Sequence, residues 1–112
     1  MRRDDTVYLR HILDAIAKIE EYLTGIDRVA FEASTMTQDA VIRQLEIIGE
    51  ATKRLSQGLR SANASVPWQD IGGMRDKLIH DYMGVDVETV WLTIREDLPS
   101  FKIQVQAILE SL

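Results

Sequence analysis

The chain has 112 residues, 46% of them hydrophobic and 28% charged, with a formal net charge of −5. These proportions suit a folded domain with one modest core, not a disordered tail, and the acidic balance argues against a broad duplex-binding face built from many phosphate contacts. The lack of cysteine excludes a disulfide framework and thiolate chemistry. No apolar run approaches the roughly 20 residues that a membrane span needs.

The start, MRRDDTVYLRH, places acids directly after two arginines and offers no apolar stretch of the signal-peptide kind, so a cytoplasmic, membrane-free protein is expected. In DDTVYLRHILDAIAKIEEYLTG, Leu9, Ile12, Leu13, Ile16, Ile19 and Leu23 recur at helical spacing. Asp4, Asp5 or Thr6 can cap that helix, and Gly25 can end it. Asp27 then opens a short piece, DRVAFEAS, which turns the chain. A second long helix is predicted from about Thr37 to Ser56, with Val41, Leu45, Ile48, Ala51 and Leu55 as its stripe. Gly49 sits at its middle, where glycine costs about 1 kcal/mol against alanine. It suits a helix crossing there, within the protomer or across a dimer.

QGLRSANASVP is the least helical stretch and is predicted to be a loop. Ser65 or Val66 followed by Pro67 marks a helix start, since proline is tolerated in the first turn. That helix carries MRDKLIHDYMG and stops at Gly84. Asp86 caps VETVWLTIRED, with Val87, Val90, Trp91 and Ile94 facing inward, and Pro99 starts or kinks a last helix, SFKIQVQAILESL. No strand alternation and no repeat is present. The prediction is an all-α, antiparallel bundle of about five helices, forming a single domain over residues 1–112. A chain this short leaves apolar surface that pairing with a second copy would cover.

On an ideal helix, Ile71, Met74, Leu78 and Tyr82 share one stripe with Arg75 at its edge, and His80 lies about 140° round from Arg75. Asp76, one turn before His80, could hold it by a hydrogen bond. Spacing alone allows a plain reading, with Tyr82 in the core, Arg75 covering apolar surface with its stem, and His80 in solvent. It also allows a working one. Arginine offers a fork for phosphate, and histidine changes charge near neutral pH. Together they suffice for RNA cleavage without a metal: the imidazole takes the ribose 2′-hydroxyl proton while the guanidinium stabilises charge on the phosphate. One straight helix would splay the two groups. A bend, or two copies meeting across a symmetric dimer, would bring them together.

The string Arg75-x4-His80-x-Tyr82 resembles the R-x4-H-x-Y signature of HepT toxins in the HEPN superfamily. The blocks YLRHILDAIAKIEEYL, TQDAVIRQLEIIGEATKRLS, VPWQDIGGMRDKLIHDY, GVDVETVW and DLP are similar to that family in order and spacing. The resemblance implies a HEPN-like helical fold and a homodimeric, metal-independent ribonuclease toxin of a type VII-like toxin–antitoxin pair. Its partner would be a small nucleotidyltransferase antitoxin. Arg75 and His80 would be catalytic, and Tyr82 would receive adenylate from ATP, silencing the toxin. The family often has asparagine where this chain has Asp76, a change that adds negative charge near the phosphate site.

Other residues are candidates for function. His11 lies among Ile12 and Leu13, as structural helical histidines do. With two histidines in all and no cysteine, no metal and no cofactor are expected. Glu46 and Glu50 are one turn apart on one face. They make either a solvated pair, Glu50 with Arg54 as its partner, or supports that hold Arg75 in place. Trp91 is expected in the core and Trp68 at the surface, where it could meet a base. Arg43, Lys53, Arg54 and Arg60 could line an approach for RNA. The alternative from another class is a non-catalytic helical subunit that positions substrate for a nucleotidyltransferase.

Overall fold

A computed structural model describes residues 3–73 and 86–112. Helix α1 spans Arg3–Tyr22, α2 Arg28–Ala33, α3 Thr35–Arg54 and α4 Gln57–Ala62. The chain is helical again over 68–73, here α5. After the motif segment, α6 (Val87–Leu92) runs through a π-helical turn, Thr93–Asp97, into α7 (Leu98–Glu110). There is no strand among the described residues, and the protein is an all-α bundle as predicted.

The two long helices form where the apolar period says they should. Leu9, Ile12, Ile16 and Ile19 of α1 and Val41, Leu45, Ile48 and Ala51 of α3 are buried, each large aliphatic contributing about 1.5–3 kcal/mol. These stripes face each other in an antiparallel pair. The start of α1 meets the end of α3, where Asp5 accepts hydrogen bonds from Ser56. Helix α7 also runs antiparallel to α1: Lys102, near its start, donates to Glu20, near the end of α1, at 2.9 Å. Leu98, Phe101, Val105 and Ile108 are the buried face of α7. Phe31 of α2 closes the other side against Trp91, ring centroids 5.2 Å apart.

Helix ends follow their caps. Gly25 has φ +74°, the left-handed conformation that glycine adopts without a Cβ penalty, and it ends α1 as expected. Asp27 opens α2 by accepting from the Ala30 N–H at 2.8 Å. Ser34 takes the cap of α3, accepting from Thr37, so the helix starts at Thr35 and not at Thr37.

One expectation needs correction. Residues 57–62 are helical, not loop. The Ser56 hydroxyl accepts from the Leu59 N–H, Leu59 is buried, and Asp5 clamps Ser56 from a distant part of the chain; together these outweigh the poor local propensity. Pro99 sits in the first turn of α7 and so starts the last helix as expected, but the turn before it is irregular. The Leu98 N–H donates to the Thr93 carbonyl five residues back, a widened turn. Proline lacks an N–H, and in a tight helix its ring would strike the carbonyl four residues earlier, that of Arg95; the wider turn relieves that clash.

Candidate functional site

Arg75, Asp76, His80 and Tyr82 lie outside the described residues. What the structure gives is the approach to them and the surface beside it. The approach is closely packed. Trp68 opens α5 and is only 7% exposed; its Nε1 donates to the Asn63 carbonyl at 2.9 Å and its ring stands edge-on to Phe101 at 6.0 Å. The surface role expected for Trp68 is therefore wrong, because the indole finds both an apolar bed and an acceptor. Ile71 and Gly72 are buried next along the helix. A Cβ on Gly72 would stand 3.3 Å from Cγ of Lys53, so the α5 backbone lies close against the C-terminal half of α3. Gly72 is three residues before Arg75 in sequence.

Helix α3 carries the acids and cations singled out above, and it shares a groove of about 360 Å³ with α1. Ile47 and Ala51 make its apolar floor. Tyr8 and His11 form the α1 wall, their rings nearly perpendicular with centroids 6.0 Å apart. Glu50 and Arg54 lie opposite, joined through Arg54 Nε and Glu50 Oε1 at 3.0 Å, the pairing expected from their spacing. The Tyr8 side chain first, and Glu50 second, hold the Arg54 guanidinium above its ordinary pKa. Farther along, Arg43 and Glu46 stand 3.9 Å apart, and the Glu46 side chain is only 23% exposed. The groove thus combines two carboxylates, two guanidiniums and two rings over an apolar base.

His11 is exposed, as a structural helical histidine can be, but it borders this groove and not bare solvent. Tyr8 was missed; only its position one turn before His11 could have flagged it. Trp91 is buried as predicted, with the Arg95 guanidinium 5.3 Å from its ring centroid. Lys53 and Arg54 are exposed on α3, whereas Arg60 is half-buried on α4. Among the described residues no three His, Cys, Asp or Glu side chains group as metal ligands, and no helix is long and apolar enough to cross a membrane.

Comparison with known proteins adds a family. The family model for ribonuclease HepT-like proteins matches residues 12–108. A protein of Thermococcus cleftensis named "Probable ribonuclease HepT" is 46% identical over 102 residues, 91% of this chain and 93% of that one. A protein of Caldanaerobacter subterraneus named "Putative RNase" is 43% identical over 103 residues, 92% of both chains. A longer protein of Methanocaldococcus jannaschii, named "Gamma-glutamylcyclotransferase and putative RNase", is 43% identical over 112 residues; this chain spans 50% of its length. No solved structure matches the chain.

Proposed function

We propose that this chain, which belongs to the HepT-like ribonuclease family, is an RNA endonuclease that needs no metal ion, with Arg75 and His80 as its catalytic pair. One observation carries the reading: the family match over residues 12–108 encloses Arg75-x4-His80-x-Tyr82. The chemistry follows from those side chains. The His80 imidazole takes the proton of a ribose 2′-hydroxyl, and that oxygen attacks the adjacent phosphorus. The bond from phosphorus to the 5′-oxygen breaks, the leaving oxygen gains a proton, and a 2′,3′-cyclic phosphate remains. Arg75 donates to the non-bridging oxygens as charge builds there. A homodimer supplies two imidazoles, one to act as base and one as acid. The close seat of Gly72 on α3, three residues before Arg75 in sequence, supports the reading, with Glu50 of α3 as a supporting group.

Silencing has a matching logic. A nucleotidyltransferase antitoxin places adenylate from ATP on Tyr82: the phenolic oxygen attacks the α-phosphorus and pyrophosphate leaves. The new anionic phosphate competes for Arg75, and the nucleoside fills space that RNA needs. The chain is then the toxin of such a pair, acting on RNA.

The test is purified protein with total RNA in the presence of a chelator. Wild type should cut; Arg75→Ala and His80→Ala should lose at least about a hundredfold in rate while keeping their far-ultraviolet circular dichroism. Folded wild type that cuts nothing would favour a substrate-binding subunit instead. With the partner enzyme and ATP, Tyr82→Phe should remain unmodified and active; its silencing by adenylate would remove Tyr82 from the scheme.

A further inference from the structure

The groove between α1 and α3 contains a carboxylate with unused capacity. Glu46 is half-buried, and among the described residues it meets only Arg43, at 3.9 Å, beyond hydrogen-bond reach. Arg54 differs, being engaged by Tyr8 and Glu50. Glu46 and Arg43 are three residues apart on one helix face, so an acceptor pair and a donor fork stand side by side at the lip of an apolar slot walled by Tyr8 and His11. This order matches one nucleobase. Guanine presents two adjacent N–H donors, N1 and N2, to a carboxylate, and then O6 and N7 acceptors to a guanidinium. Adenine and cytosine each pair one amino donor with a ring acceptor, and uracil sets its single N–H between two carbonyls. The rings of Tyr8 and His11 offer the stacking surface that a splayed single-stranded base requires.

We propose that this groove is a guanine-binding site, occupied by a base of the RNA strand, and that Glu46 and Arg43 set the preference. The RNA part rests on the ribonuclease reading above. The guanine part rests on the groove alone and applies equally to a free nucleotide.

Two arms separate these. In the first, GMP, AMP, CMP and UMP are titrated in turn while the His11 imidazole and Ala51 methyl signals are followed by NMR. GMP should bind at least about tenfold tighter than the others, as expected for a good bidentate base contact. Glu46→Gln should erase that preference, and His11→Ala, at an exposed position, should weaken all four alike. The guanine site is overturned if no nucleotide moves these signals, or if GMP binds no better than AMP. In the second arm, a synthetic RNA is cut with inosine replacing guanosine at one position at a time. Inosine lacks the N2 amino group, so one position should slow wild type about tenfold and leave Glu46→Gln indifferent. Cutting with no inosine effect anywhere overturns the RNA occupant while the ribonuclease stands. A wild type that cuts no RNA defeats the ribonuclease reading, and GMP selectivity in the first arm would then support the site for the free nucleotide.

Discussion

Both carboxylate oxygens of Asp5 serve a single residue. Oδ1 accepts from the Ser56 N–H at 2.8 Å and Oδ2 from its hydroxyl at 2.6 Å, and Asp5 is fully buried. Ser56 in turn caps α4, so one carboxylate fixes the α1 start, the α3 end and the α4 start together. Asp5→Ala leaves the half-buried Ser56 N–H without its partner and should cost about 2–3 kcal/mol, the loss of two bonds to a carboxylate acceptor. Ser56→Ala keeps the N–H bond and should cost about half as much. Urea midpoints of the two variants check this; an Asp5→Ala protein within about 0.5 kcal/mol of wild type would refute the clamp. The sequence offers Asp5 only as one of three interchangeable caps. Its partner is 51 residues away, and no local pattern carries that information. The burial of Trp68 is hidden from the sequence for the same reason: the Phe101 face that covers it arrives from a distant helix.

At the level of elements, stripes were legible and irregularities were not. The period of Leu9 to Ile19 and of Val41 to Leu55 fixes two buried faces because each helix packs along its whole length. The α4 turn depends on a clamp from α1, and the π turn on how Pro99 negotiates a helix already fixed by Val90, Trp91 and Ile94 before it and Phe101 after it. If proline causes the widening, removing one residue should expose the conflict. Deleting the exposed Glu96 returns residues 93–97 to regular α register and points the Pro99 ring at the Ile94 carbonyl, costing about 3 kcal/mol. Combining that deletion with Pro99→Ala should recover most of the loss, since an N–H then completes the ladder. Urea denaturation of both forms decides it; equal stabilities would mean that proline is not the reason for the wide turn.

For the whole molecule, the question is how a chain of net charge −5 holds a polyanion. Cations are present on α3, but Arg43 and Arg54 have carboxylates beside them, and Arg28 is taken up by Glu88 and Glu32, which raise its pKa in that order. These three guanidiniums therefore do not form a wide phosphate track. Under the proposed function, RNA binding rests on a few local contacts, Arg75 among them, and the proposed stacking in the groove would add affinity that salt does not screen. For single strands the slope of log K against log salt is about −0.7 per phosphate neutralised. Two to four contacts then give a slope of about −1.5 to −3. The His80→Ala protein, which should hold RNA without cutting it, allows the measurement by fluorescence anisotropy across a potassium chloride series. A slope steeper than about −5 would require seven or more phosphates. It would mean that the protein tracks RNA by its backbone, leaving the α1–α3 groove little part in recognition.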